Sequence, residues 1–214
     1  MSGKGLFVTF EGVEGSGKST QIALLADRLR VEGREVLVVR EPGGTPLAEE
    51  ARRLVLHEPG LMPGPAAELF LYLVARADLV ARVVRPALGR GATVLADRYD
   101  LSTRAYQIAG RGLPEGAVLA ANALATGALE PDLVIVLDLP PAAGRARQAA
   151  AGKVRDRLES EDDAFHQRVA GAFRAARGPN IVHLAADGTS EAVHRAVWEA
   201  VAGRRPPTFS PRAG

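Results

Sequence analysis

Gly12-Val13-Glu14-Gly15-Ser16-Gly17-Lys18-Ser19 fits the pattern G-x-x-x-x-G-K-S/T, and its surroundings fix how it must fold. Before it, Leu6 to Phe10 (L-F-V-T-F) reads as a buried strand. After it, Lys18 to Glu32 repeats apolar side chains at Ile22, Leu25, Ala26 and Leu29, one face of a helix, and Gly33 supplies a stop. A glycine-rich turn alone is no more than a tight strand–helix connection. Between a strand and a helix start, it is an anion cradle. The glycines let backbone N–H groups turn inward around phosphate oxygens, and the helix adds its positive end. Lys18 supplies a charge for the outer phosphates and Ser19 a hydroxyl for Mg2+. Gly12, Val13, Glu14, Gly15, Ser16, Gly17, Lys18, Ser19 and the adjoining Thr20 are the expected phosphate-binding set.

The same alternation of short apolar runs and helical patterns continues along the chain. Strands are expected over Glu35 to Arg40, Thr93 to Ala96, Leu133 to Leu137 and Asn180 to Leu184. Helices are expected over Leu47 to His57, Ala66 to Leu88 with a disturbance near Pro86, Ser102 to Ala109, Glu115 to Thr126, Pro141 to Ala151, Ala164 to Arg177 and Ser190 to Ala202. Continuous apolar strands, each followed by a helix, predict an α/β fold with a five-stranded parallel sheet and helices on both faces. Ligands of such sheets lie beyond the carboxyl ends of the strands. The chemistry is therefore expected after Phe10, Arg40, Ala96 and Leu137.

The chain has 214 residues, a length that suits one domain over about 1–203, and Gly203 to Gly214 reads as a frayed tail. Lys and Arg number 27 against 25 Asp and Glu, a balance that gives no basic face for nucleic acid. Cysteine is absent, no stretch approaches the ~20 apolar residues of a membrane span, and no secretory signal opens the chain. A cytoplasmic protein is expected.

The guanine-reading string N-K-x-D of a GTPase is missing, and several Arg-bearing loops suit phosphoryl transfer between small molecules. Arg40-Glu41-Pro42-Gly43-Gly44-Thr45 and the string D-R-Y-x-x-S-T-x-A-Y-Q over Asp97 to Gln107 carry the next step. With the phosphate cradle and the charged run Ala151 to Glu159, they resemble thymidylate kinases, in order and spacing, over about Leu6 to Val201. The resemblance implies a three-layer P-loop kinase fold with a flexible lid. It implies transfer of the ATP γ-phosphate to dTMP, with Mg2+, in a homodimer. The alternatives are another small-molecule or nucleoside monophosphate kinase of this fold, and a nucleotide-switched binding protein, which would need no clamp on an acceptor.

The resemblance also implies roles. Lys18, Arg98, Asp97 and a lid arginine would be catalytic, with Ser19 and Asp97 near the metal and Arg98 on the acceptor phosphate. Glu14 would meet the dTMP 3′-hydroxyl, and Glu41 would hold arginines or water. Tyr72 and Arg76, four apart on one helix face, would stack on thymine and reach its carbonyl, with Phe70 a competitor for the stacking role. Thr103 and Gln107 would read the base edge, Gln107 as a donor beside Arg76. Tyr106 would press on the sugar, and Arg52 is a further candidate. In the resembled family a catalytic arginine stands in the cradle or in the lid; this cradle holds none, so the resemblance points to the lid, about 152–163. Arg157 is the first choice ahead of Arg155, Arg147 and Arg145, and Lys153 lies in the same run.

Overall fold

The computed structural model describes residues 5–152 and 156–204. Five strands form one parallel sheet: β1 (Leu6–Glu11), β2 (Val36–Arg40), β3 (Thr93–Asp97), β4 (Leu133–Asp138) and β5 (Ile181–Ala185), in the order β2-β3-β1-β4-β5. The central strands are mostly apolar and buried up to their carboxyl ends because both faces are covered. Val8, Phe10 and Leu95 pack on α1 (Lys18–Val31) through Ile22, Leu25 and Leu29. The same cluster takes in Phe165, Val169 and Phe173, and then Val193, Val197 and Val201. These belong to α8 (Asp163–Ala175) and α9 (Ser190–Ala202). On the other face Phe7, Val94 and Ala96 pack against Leu79, Val84 and Ala87. Leu25 is fully buried, so Leu25→Ala should cost about 2–5 kcal/mol.

Between β2 and β3 run α2 (Pro46–Arg52), α3 (Pro65–Leu79) and α4 (Arg85–Gly89). Thr45 caps α2, accepting the Ala48 N–H at 3.1 Å, and Pro46 fills the first helical position, where no N–H is needed. The helix expected over Ala66 to Leu88 is continuous in direction, but Val80–Val84 widens into a π turn just before Pro86. Proline has no N–H to donate, and its ring collides with the carbonyl four residues back, so the preceding turn opens. After β3 come α5 (Asp100–Thr103), a π turn over Arg104–Gly110 and α6 (Glu115–Thr126). After β4 comes α7 (Pro141–Ala150). Of the charged run expected as a lid, residues 157–160 form turns before α8, while Lys153 and Arg155 lie outside the described residues, as does the tail beyond Arg204. No described helix is long and apolar enough to cross a membrane.

Candidate active site

The register of the sheet decides which loops meet. Phe10 of β1 and Arg40 of β2 both lie opposite Asp97 of β3. The loops after these three strands therefore open side by side, where the strand order changes direction. They wall a cavity of about 810 Å3, toward the upper end of the usual ~300–1,000 Å3 for small-molecule sites.

The phosphate cradle forms one wall. Gly15 takes φ of 71°, and a Cβ there would collide with the carbonyl of Gly144 in α7, so glycine is needed on two counts. Lys18 is buried, and its Nζ donates to the carbonyls of Gly12 (3.3 Å) and Val13 (3.0 Å). Burial and the nearby charge of Arg98 push its pKa down to about 8, against Asp97, Glu14 and Glu11. The Ser19 hydroxyl donates to Asp97 Oδ2 at 2.8 Å. A hydroxyl and one carboxylate beside a phosphate cradle fit Mg2+, which completes its shell with water and substrate phosphates. Among the described residues no cluster of three or more His, Asp or Glu side chains could hold a metal ion.

Arg98 adopts φ of 76°, a left-handed backbone unusual for a side chain of this size. Its surroundings hold it there. Its N–H donates to Phe10 O (3.0 Å), Nη1 to Gly12 O (3.2 Å) and Ser102 Oγ (3.0 Å), and Nη2 to Glu14 Oε1 (2.9 Å). Glu11 grips the next turn, accepting from Tyr99 N–H at 2.8 Å and the Ser102 hydroxyl at 2.6 Å. Burial lifts the Glu11 carboxyl to about 7, although its bond from Ser102 and the charge of Arg98 work the other way. Such strain, about 1–3 kcal/mol, persists only where the neighbours over-determine it. Glu14, the anion inside the cradle, takes Arg98 and the Tyr106 hydroxyl as partners. Its burial favours the neutral form, but Arg98, Lys18 and Tyr106 outweigh that and hold it below the usual carboxylate range.

The opposite wall is the α3 face bearing Tyr72 and Arg76, with Thr103, Tyr106 and Gln107 across from it and Glu68 buried behind. Tyr72 lines the cavity, whereas Phe70 is 59% exposed on the outer face and does not compete for it. Arg76 is 2% exposed and nearly saturated. Nε donates to Glu41 Oε2 (2.7 Å), Nη1 to Thr103 Oγ1 (2.8 Å) and Asn122 Oδ1 (2.6 Å), and Nη2 to Tyr99 O (3.0 Å). Burial raises the Glu41 carboxyl although Arg76 pulls it down. Gln107, expected to read the base edge, lines the cavity, and one N–H of its amide donates to the buried Glu68 at 3.0 Å. Tyr106 packs its ring on Phe165 and Phe173. Arg52, on α2, reaches the cavity and donates to Pro42 O at 3.0 Å.

Arg157, the first choice for the phosphates, is held elsewhere in this structure. Its Nη2 is bound to Glu68 Oε2 at 2.5 Å and its Nε to Val55 O at 2.9 Å, and it does not line the cavity. A buried carboxylate attracts the guanidinium more strongly than solvent does, which turns it under α3. Arg145 faces Asp163 at 3.4 Å. Arg147 lines the cavity, and its guanidinium makes no hydrogen bond or ion pair among the described residues.

Sequence reasoning passed over Glu11, Glu68, Arg111, Asn122, Arg40 and Gly144. Two of these carried a signal. Glu11 is a carboxylate closing an apolar strand beside the cradle, and Glu68 lies one helical turn before Tyr72 on the face already singled out.

The thymidylate kinase family model matches residues 10–197. The thymidylate kinase of Thermomicrobium roseum is 49% identical over 94% of this chain and 99% of its own. Those of Synechococcus sp. (47%) and Deinococcus radiodurans (46%) also match over 94% of this chain, and over 96% and 98% of theirs. Matched along nearly its whole length and carrying both walls of the cavity, the chain belongs to the thymidylate kinase family.

Proposed function

We propose that the chain transfers the γ-phosphate of ATP to the 5′-phosphate of dTMP, with both nucleotides meeting in the one cavity. The observation that carries this reading is the side-by-side opening of the phosphate cradle and the Tyr72–Arg76–Thr103–Gln107 pocket, with Arg98 between them. Phosphoryl transfer needs positioning and charge neutralisation more than covalent chemistry. The acceptor phosphate is already anionic, so no strong general base is required. Lys18 and the cradle N–H groups bind the β and γ phosphates. Arg98 holds the acceptor phosphate and offsets its repulsion from ATP. Ser19 and Asp97 would hold Mg2+, which when bound would draw charge from the migrating group. Glu14, kept ionised by Arg98, accepts from the sugar 3′-hydroxyl, and the Tyr106 ring closes the space beside C2′.

Tyr72 stacks on the base, and Arg76 has one Nη2 N–H left for its C4 carbonyl. Glu41 keeps Arg76 in place. Arg52 adds positive charge at the acceptor end. From the lid side, Arg147 is the described cation with a free head in the cavity, and Lys153 and Arg155 adjoin it in sequence. The catalytic unit spans about 1–203 with its lid at 152–163. The absence of cysteine suits a reducing cytoplasm. A homodimer is formed through the outer face of α3, where Phe70 and Val74 stand one turn apart and exposed. The test is incubation of the purified chain with ATP, Mg2+ and each of dTMP, dUMP, dCMP and UMP, following ADP and product by chromatography. dTMP turnover well above the others is expected. Failure to phosphorylate dTMP, with turnover of another monophosphate, would overturn the substrate assignment.

A further inference from the structure

We propose that Glu68 sets the base preference of the cavity by fixing which end of the Gln107 amide faces the acceptor base. The inference rests on the reading of the cavity as a dTMP site, and it concerns a residue that touches no substrate. Glu68 is fully buried, yet it is surrounded by donors. Arg111 grips it with Nε on Oε1 (3.1 Å) and Nη2 on Oε2 (2.8 Å), Arg157 adds Nη2 on Oε2, and Gln107 Nε2 donates to Oε1. Burial favours its neutral form, but the bonds from Arg111, Arg157 and Gln107 prevail and keep its pKa low. It is a carboxylate, and a carboxylate only accepts.

That removes a freedom that glutamine otherwise has. A free amide can rotate and show either its NH2 or its carbonyl to a ligand. Beside Glu68 the NH2 must face the carboxylate, since the reverse would set oxygen against oxygen and lose a charge-assisted bond. One N–H is spent on Glu68, and the carbonyl Oε1, which has no partner among the described residues, is then the acceptor turned away from the carboxylate and left for the base. Arg76, held on three sides, offers one Nη2 N–H to the same cavity. The wall therefore presents a donor and an acceptor. Thymine presents the complement, a C4 carbonyl and an N3–H. Cytosine presents the reverse, an amino group and a bare N3. If the Gln107 amide turned over, its NH2 would suit the cytosine N3, and the pocket would lose half of its discrimination. Glu68 is thus a positioning residue for base selection.

The experiment compares kcat/KM for dTMP, dCMP and dUMP in the parent and in Glu68→Gln, with thermal unfolding followed in parallel. The substituted side chain keeps its shape and loses its obligation to accept, so the Gln107 amide is released. The dTMP/dCMP ratio should fall by about tenfold or more, the effect of one mismatched buried hydrogen bond. The dTMP/dUMP ratio, which reads only the methyl group, should stay within about twofold. If Glu68 only supports the fold, dTMP and dCMP activities fall by the same factor and the ratio holds, and the proposal is wrong. If Glu68→Gln does not fold, the double change Glu68→Gln with Arg111→Gln removes one charge of each sign and carries the same ratio test. A parent that ignores dTMP would defeat the substrate reading itself. A parent that prefers dTMP, with an unaltered ratio in the variant, would defeat the Glu68 proposal alone.

Discussion

Lys18 meets opposing demands. It must be charged to hold phosphates, yet it sits buried beside Arg98, and its pKa is lowered to about 8. In the unfolded chain a lysine titrates near 10.5, so between about pH 8 and 10.5 the unfolded state binds more protons. Stability of the nucleotide-free protein should therefore rise with pH across that window. Nucleotide affinity runs the other way. The phosphates restore the ammonium, so above pH 8 the complex binds a proton that the free protein lacks. ATP affinity should fall by up to about tenfold per pH unit from 8 upward and lose this dependence near pH 7. Titration calorimetry at pH 7.5 and 9 in two buffers of different ionisation enthalpy reads the proton directly. An ATP affinity flat from pH 7.5 to 9.5 would remove Lys18 from the phosphates. Lys18→Ala should lower kcat by about 100- to 1,000-fold. It should leave the fold intact, because the ammonium bonds directly only to neutral carbonyls, and Glu14, which loses one nearby positive charge, keeps Arg98 and the Tyr106 hydroxyl as partners.

At the scale of elements, α7 lies against the phosphate cradle through two glycines, Gly15 and Gly144, whose backbones touch. Gly144→Ala sets two effects against each other. Alanine is favoured in a helix by about 1 kcal/mol. The new Cβ would overlap the carbonyl of Glu14, and relieving that moves either α7 or the cradle, at about 1–3 kcal/mol or more. The clash should win, lowering the melting temperature and weakening ATP binding several-fold. Gly171→Ala in α8, where nothing lies within 4 Å of the new Cβ, should raise stability by about 0.5–1 kcal/mol and leave ATP binding alone. Equal thermal shifts in the two variants would show that α7 does not brace the cradle. The elements themselves were legible because periodicity and punctuation act locally. Glu115–Thr126 and Ser190–Ala202 fall where the apolar spacing and the flanking glycines put them. What was not legible depends on distance across the fold. Nothing near Arg157 in the chain says that Glu68, 89 residues away, will draw its guanidinium from the cavity. Nothing near Gln107 says that Glu68, 39 residues away, will take one N–H of its amide and so fix how it is turned. The cradle, Arg98 and Tyr72 could be read because each lies in a contiguous string or on one helix face.

For the whole molecule, α3 joins the interior to the surface. One side of this helix carries Tyr72 and Arg76 into the cavity, with Glu68 buried one turn before Tyr72, and the other exposes Phe70 (59%) and Val74 (42%), with Leu47 of α2 (52%) also bare. Single exposed apolar side chains need no explanation, but a phenylalanine and a valine one turn apart on a helix that lines the active site are suited to a self-complementary contact. Burying them against a second copy would restrain α3 and so hold Tyr72 and Arg76 in register with the base. Phe70→Glu puts a charge at the centre of that contact. It should leave the protomer folded, since the side chain is mostly in solvent, and shift the mass measured by sedimentation equilibrium from two chains toward one of 22.5 kDa. Catalysis should respond unequally. KM for dTMP should rise several-fold, because the base wall is loosened, whereas KM for ATP should hardly move, because the cradle hangs on β1 and α1. A parent that sediments as one chain would refute the dimer outright. A Phe70→Glu protein that becomes monomeric with an unchanged KM for dTMP would leave the dimer standing and show that α3 needs no partner to hold the base.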